Sequence, residues 1–306
     1  MDRRIKFRHL DTFSAIARAG SFKIAAEQLN LTQPAISKTL KELEDILGTV
    51  VMERSRSGIR LTPQGEVFLQ FAEQSTAALR HGLRSIQSTD GTAGRLRLGA
   101  LPSVASSLLP DAVLQFKGQN PHTLVEVHEG PHLDLTRRLR NGSLDLVVGR
   151  LGKPDDMVGL SFQQLYSETV VVVASPQSRA LSIRDAADLA RFRVLYPPKE
   201  SAIRPLVARH LIAQGVPLFS NRIETASPAF GRAVTLADPD TVWIISKGVV
   251  ADDIESGVLR VLDLDMSTTQ GAVGIMRRAE EVPSVTVRAF AKLLGVLSAT
   301  QASQNW

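Results

Sequence analysis

Two short stretches hold residues whose types and spacing could do chemistry. The first is His128-Glu129-Gly130-Pro131-His132, which satisfies the H-E-x-x-H pattern of zinc hydrolases. That chemistry needs both imidazoles one turn apart on a single helix face, with the glutamate as base. Gly-Pro between the histidines breaks a helix, and the preceding VEVH alternates as a strand does. The rings are not expected to converge, so no metal site and no catalytic residue is assigned. The second stretch is LTQPAISKTLKELE, residues 31–44. Its proline marks a helix start, because the first turn has no intrahelical acceptors for its N–H groups. Thr32 is the expected N-cap, Gln33 and Pro34 open the helix, and Ile36, Leu40, Leu43 and Leu47 form its apolar stripe. The opposite face carries Gln33, Ser37, Lys38 and Lys41. Amide, hydroxyl and ammonium groups on one uncovered face suit a polyanion with readable edges, which is double-stranded DNA.

The surrounding elements position that face. Leu10, Phe13, Ile16 and Ala17 recur at helical spacing in a first helix that ends near Gly20. Ser21 opens a second, SFKIAAEQL, whose alanines allow close approach of a neighbour. Asn30-Leu31 is the tight turn into the third, which completes a helix-turn-helix pattern. After Gly48, VVMERSRSGIRLT reads as a β-hairpin wing, with Arg54 and Arg56 at its tip, able to reach phosphate or the minor groove. Thr62-Pro63 begins a long fourth helix reaching about Ser88. Leu69, Ala72, Thr76, Leu79, Leu83 and Ile86 make a heptad seam in it, widened by Phe68, Phe71 and Ala78, as a dimerisation helix would need.

Charge agrees with this division. Eleven of the 36 basic and seven of the 31 acidic residues lie in the first 65 positions, leaving 25 against 24 elsewhere. A basic end on a near-neutral body points to a polyanion partner for that end. The chain has no cysteine, which excludes disulfides, thiolate nucleophiles and cysteine zinc sites. Its charged start, MDRRIKFRHL, lacks the apolar stretch of an export signal, and runs such as VVVVA are strand-length, so a cytoplasmic protein without membrane contact is expected. No nucleophile elbow, P-loop or dinucleotide fingerprint is present, so no enzyme and no cofactor is expected. A dispersed hydrolase site and a solute-binding transport protein are the rivals from other classes. The latter has no use for a winged helix.

Beyond the Ser/Thr/Gly-rich hinge STDGTAGRL, short apolar strands alternate with helices, the pattern of a parallel sheet with crossover helices. LRLGAL, LVEVHEG and LDLVVGRL are expected strands, and SVASSLLPDAVLQFKGQ and HLDLTRRLRNG expected helices. A second set (TVVVVAS, SAIRPLVARHLIAQG, NRIETAS, TVWIIS) follows, and SVTVRAFAKLLGVLSA closes the chain.

AAEQLNLTQPAISKTLKELEDILG followed by VVMERSRSGIRLTPQGEVFL resembles the LysR-type transcriptional regulators, most densely over residues 5–75 and loosely to about 295. The opening RIKFRHLDTF is similar to the subgroup that controls protocatechuate (pca) catabolism and to a related sugar-responsive subgroup. The resemblance implies a winged helix-turn-helix (1–65), a linker and dimerisation helix (66–90) and a two-lobed α/β effector domain (91–306) like a periplasmic binding protein. Lobe I would span about 94–161 and 267–300, and lobe II about 162–266. It implies promoter DNA contacts from Thr32, Gln33, Pro34, Ser37, Lys38, Lys41, Arg54 and Arg56. It also implies a homodimer paired into a homotetramer that bends DNA and meets RNA polymerase. A small organic acid would bind between the lobes, at Ser103, His132 and Arg150 after the first three strands and at Ser201, Thr225 and Ser227 in lobe II. Arg150 would supply a bidentate fork for a carboxylate.

Overall fold

The structure is a computed structural model that describes residues 4–55, 58–87 and 94–304. It divides into two compact units, Met1–Thr92 with the segments Arg138–Ser143 and Arg278–Glu281, and the remainder of the chain.

In the first unit, α1 (Phe7–Ala19), α2 (Phe22–Leu29) and α3 (Gln33–Leu47) surround a core of Phe13, Ile16, Ala25, Ala26, Ile36, Leu40 and Leu43. Each helix stops at a left-handed residue, Gly20, Asn30 and Gly48 respectively, so the turns are tight. Thr32 occupies the N-cap position of α3, although its side chain makes no capping bond. The wing pairs β1 (Met52–Ser55) with β2 (Gly58–Leu61) antiparallel, Met52 opposite Leu61. Glu44, near the end of α3, accepts from the backbone N–H groups of Val51 and Met52 at 2.9 and 3.3 Å and so fixes where the wing departs. On α3's other end of the acidic row, Glu42 accepts from Arg8 of α1 at 3.0 Å and faces buried His9. Burial would raise the Glu42 pKa, but the bonds from His9 and Arg8 outweigh it and hold the carboxyl below its ordinary value.

α4 (Pro63–Gln87) starts at Thr62, whose hydroxyl accepts from Gly65 N–H and donates to Val50 O. The heptad seam expected along α4 divides between two faces. Ala72 and Thr76 are buried in their own unit, and Phe68 packs edge-on against Phe13 at 5.3 Å. Val67, Phe71, Leu79 and Leu83 instead form an exposed apolar face, while the Ile86 side chain lies outside the described residues.

The second unit holds two five-stranded sheets. In lobe I the order is β4-β3-β5-β12-β6, from β3 (Arg95–Ala100), β4 (Leu124–Glu129), β5 (Leu146–Arg150), β6 (Leu160–Glu168) and β12 (Gly271–Arg278). In lobe II it is β11-β7-β10-β8-β9, from β7 (Val170–Ala174), β8 (Arg193–Tyr196), β9 (Arg222–Glu224), β10 (Thr241–Ser246) and β11 (Arg260–Val261). Both sheets are mixed where hydropathy alternation predicts parallel ones. β3 runs parallel to β4 and β5, and β8 to β9 and β10, but β12 opposes β5 and β7 opposes β10. Those antiparallel strands lie next to the crossings between lobes. β6 stays in the lobe I sheet, so the first crossing lies at Glu168–Val170 rather than at the expected 161/162 boundary. The second lies at Thr269–Gly271.

The helix expected over SVASSLLPDAVLQFKGQ is broken into α5 (Pro102–Ala105) and α6 (Leu108–Gln119). α6 packs on α11 (Val285–Gln304) through Phe116 and Phe290, 5.3 Å apart and edge-on, over the lobe I core. α7 (His132–Arg140) follows β4, and α8 (Arg204–Ala213), α9 (Pro228–Ala237) and α10 (Ala251–Glu255) cover lobe II. Among the described residues no helix is long and apolar enough to cross a membrane.

α4 offers a stability test of opposite signs. A Cβ at Gly65 would lie 1.9 Å from Val51 O, a backbone atom that cannot rotate away, whereas at Gly82 nothing stands within 4 Å. Gly65→Ala should lose ~3 kcal/mol, the upper end of overpacking costs, and Gly82→Ala should gain ~0.5–1 kcal/mol from helix propensity. Urea unfolding of the full chain measures both. Equal signs would refute the close-approach account.

Candidate functional site

The first site is the face of α3 opposite its apolar stripe. Thr32, Gln33, Pro34, Lys38 and Lys41 are exposed and Ser37 is half-buried, so the structure brings these six candidates to one helix face and its N-terminal end. The stripe of Ile36, Leu40 and Leu43 is fully seated in the core, which fixes the rotation of α3 about its own axis. The carboxylates of Glu42 and Glu44 are engaged by α1 and by the wing, and the outward face keeps Gln33, Lys38 and Lys41, with the exposed Asp45 one turn beyond Lys41. Arg54 lies in β1, its side chain and all of Arg56 falling outside the described residues.

The second site is a cavity of about 500 Å³ between the lobes of the second unit. Four helix starts reach it: Pro102 and Ser103 from α5, His132 from α7, Ser201 to Ile203 ahead of α8, and Thr225 to Pro228 at α9. Leu101, Pro131, Pro197, Pro198, Ile245 and Val249 make much of the wall apolar. All six candidates, Ser103, His132, Arg150, Ser201, Thr225 and Ser227, therefore line one cavity, and they play different parts in it.

Ser103 is buried, and Leu101 rather than Ser103 takes the N-cap position of α5, so the Ser103 hydroxyl is not used as a cap. Among the described residues neither Ser103 nor Ser201 has a side-chain hydrogen bond, although the Ser103 carbonyl accepts from Ser107 Oγ at 2.6 Å. Ser227 is the N-cap of α9, accepting from Phe230 N–H at 3.3 Å, and Thr225 Oγ1 accepts from Ser227 N–H at 3.1 Å. His132 is 4% exposed, a wall residue and not a loop histidine on the surface.

Arg150 departs most from the sequence expectation of an open carboxylate fork. Arg150 is a residue of the cavity wall, but its Nη2 donates to Glu168 Oε2 at 3.1 Å and its Nη1 donates to Glu168 O at 3.0 Å and Thr269 O at 3.4 Å. Both side chains are almost wholly buried. Burial depresses the Arg150 pKa, opposed by the adjacent Glu168 carboxylate. Burial also pushes the neighbouring Tyr166 hydroxyl up, reinforced by the Glu168 charge. The cation is thus matched within the fold, and the remaining charged side chains at the cavity are the exposed Glu129 and Glu200. Helix starts also lie at the cavity, and the N-terminus of a helix carries partial positive charge that favours an anion.

His128 lies on strand β4 and His132 at the start of α7, so the two histidines of the zinc-like motif do not share a helix face. Among the described residues no group of three metal-ligating side chains forms. Sequence reasoning missed Glu168 and Gly248, whose roles exist only once the lobes meet. A glutamate closing a half-buried strand, two residues before the apolar run VVVVA, was the available signal for the first.

Residues 7–66 match the family model described as bacterial regulatory helix-turn-helix protein, lysR family, and residues 89–296 match the LysR substrate binding domain. The HTH-type transcriptional regulator PcaQ of Agrobacterium fabrum (strain C58 / ATCC 33970) is 44% identical over 290 residues, covering 93% of this chain and 92% of that protein. The uncharacterized HTH-type transcriptional regulator YdcI of Escherichia coli (strain K12) is 34% identical over 281 residues, 90% of this chain and 91% of that one. In fold, the chain is similar to crystal structures of CbnR, a LysR family transcriptional regulator, with TM-score 0.60 at 21% identity over 96% of this chain and 99% of that one. For full-length CbnR complexed with its target DNA the TM-score is 0.57 at 24% identity, over 96% and 100% of the two chains. These family models and relatives are of transcriptional regulators and not of enzymes, and with them the chain belongs to the LysR family of bacterial transcriptional regulators, in a PcaQ-like subgroup.

Proposed function

We propose that this regulator reads promoter DNA through α3 and the wing and responds to a small organic acid bound between the lobes of its effector domain. Gln33 and Ser37 would meet base edges, while Lys38, Lys41 and the wing arginines meet phosphate or the adjacent minor groove. The apolar face of Val67, Phe71, Leu79 and Leu83 on α4 supports a homodimer through that helix, two of which make the tetramer expected from the family resemblance. Such an assembly contacts two DNA sites and changes the bend between them when ligand binds, altering access for RNA polymerase.

The observation that carries the acid reading is the convergence of four helix starts and two free hydroxyls, Ser103 and Ser201, on one largely apolar cavity. A carboxylate is stabilised by N–H dipoles and hydroxyls, and the apolar wall accommodates an unsaturated carbon skeleton. Together with the protocatechuate resemblance, this favours an intermediate of that pathway, such as a carboxymuconate. A sugar is the second reading, favoured by Glu129 and Glu200 at the cavity, whose carboxylates can accept from several hydroxyls.

The deciding experiment is a footprint on DNA upstream of the protein's own gene, with and without a panel of muconate-type acids and sugars. Protection that shifts with one acid supports the reading, and a shift with sugars alone replaces it. At the cavity, Ser103→Ala should weaken the responding acid about 10-fold, the worth of one hydrogen bond to a charged group, with DNA binding in its absence unchanged. Titration calorimetry measures this, and unchanged affinity would remove Ser103 from the site. On DNA, Lys38→Ala should weaken all sequences alike and lower the salt slope by roughly 0.9, whereas Gln33→Ala should relax sequence preference by about 1–3 kcal/mol. Anisotropy titrations over a salt series separate the two effects.

A further inference from the structure

The lobes are joined by two chain crossings, and one buried cluster touches both. Arg150, at the end of β5 in lobe I, donates to the carbonyl of Glu168 at the first crossing and to that of Thr269 at the second. The crossings are also bonded to each other, Val170 N–H donating to Thr269 Oγ1 at 3.0 Å. The Glu168 carboxylate has two partners on different lobes. Oε2 accepts from Arg150, and Oε1 accepts from the N–H of Gly248 at 3.0 Å, in the short turn Lys247–Val249 after β10 of lobe II. Next to it, Lys247 N–H donates to Thr169 O at 3.1 Å.

Gly248 approaches as closely as it does because it has no side chain. A Cβ there would lie 2.5 Å from Glu168 Oε1 and 2.9 Å from the carbonyl of Ser103. Ser103 is a wall residue of the cavity on α5, and Ser246, just before the same turn, and Val249, its last residue, are wall residues on the other side. The contact between lobes and the cavity wall are therefore built from the same two short segments.

We propose that Glu168 is the closure latch of the effector domain. It is a positioning residue whose carboxylate, anchored on Arg150, holds the Lys247–Val249 turn of lobe II against the Ser103 wall of lobe I. The geometry of the latch stands independently of the ligand, and only its consequence rests on the function proposed above. A molecule seated between Ser103 and Val249 presses on both sides of the Gly248–Glu168 contact, and the anchored crossings carry the change in lobe angle onward. A ligand shifts that equilibrium only by binding one lobe angle better than the other.

The chain contains no cysteine, so two spin labels can be placed without background, at Gln115→Cys on the exposed side of α6 and Ile212→Cys on α8, where 73% of the residue is accessible. The distance distribution between lobes is measured on the full-length protein, diluted with unlabelled chain, without DNA or acid. Two variants are compared. Arg150→Met with Glu168→Leu removes both charges together, so neither is left as an unmatched buried charge. Gly248→Ala leaves the ion pair whole and wedges the turn off it. Both should broaden the distribution and shift it to longer distance, while thermal unfolding confirms that each is folded. A wild-type distribution in Gly248→Ala overturns the latch, as does one in the double variant. Should the double variant not fold, Gly248→Ala decides alone. Because no acid is present, failure here leaves the ligand reading untouched, and failure of every acid to shift the footprint leaves the latch untouched.

Discussion

Burying an arginine with a glutamate strips both of water, and their attraction recovers that cost only when the remaining donors and acceptors are also satisfied. At Arg150 and Glu168 they are. The guanidinium has two carbonyls besides its counterion, and the carboxylate has a backbone N–H besides its own. Removing one partner alone would leave an unmatched buried charge, which costs about 3–5 kcal/mol. The pair is therefore obligatory as a pair. Its place is equally constrained, since the polar backbone groups of both crossings need partners where neither sheet supplies a full ladder. The two crossings and the first turn after β10 are tied together by this one cluster.

The same logic of committed charge governs α3 in the first unit. Two of its three acidic residues meet the fold's own donors, Glu42 those of Arg8 and His9, and Glu44 the first backbone groups of the wing, while Asp45 near its C-terminal end is exposed. Without those partners two more carboxylates would lie free on the helix that carries Lys38 and Lys41, and would repel a phosphate backbone. Bracing the helix and engaging two of its three carboxylates are one arrangement. Gly65 belongs to it as well, because only a residue without a side chain lets α4 lie on Val51, where Glu44 holds the wing.

Much of this was legible in the sequence because local rules dominate. Helix starts at Thr32-Gln33-Pro34 and Thr62-Pro63, the wing after Gly48, and the strands at LRLGAL and LDLVVGRL follow from capping, turn and periodicity alone. The six cavity candidates also came together, because strand ends and helix starts are where an α/β cleft forms. What failed were inferences that need long-range pairing. Periodicity cannot tell that β12 returns antiparallel between β5 and β6, nor that β6 remains with lobe I, since both depend on partners far away in the sequence, Val273 opposite Arg150 for example. The α4 seam misled for a related reason. One heptad pattern serves two interfaces, with Ala72 and Thr76 inward and Leu79 and Leu83 outward. Arg150 looked like a ligand fork because its chemistry suits one, and only the fold reveals that Glu168 already fills it.

A sensor gains from keeping its cation out of direct ligand binding. A free arginine fork would hold a carboxylate tightly in any lobe arrangement, and equal affinity for both arrangements shifts nothing. Helix starts and hydroxyls behave differently, because α5 and α7 belong to lobe I while α8 and α9 belong to lobe II. Their combined pull on an anion is strong only when the lobes stand at one angle, so on the proposed reading affinity itself depends on closure. Arg150 then contributes by fixing the hinge about which closure occurs, and differential affinity, the requirement for any ligand-driven switch, follows from distributing the anion's partners over two moving bodies.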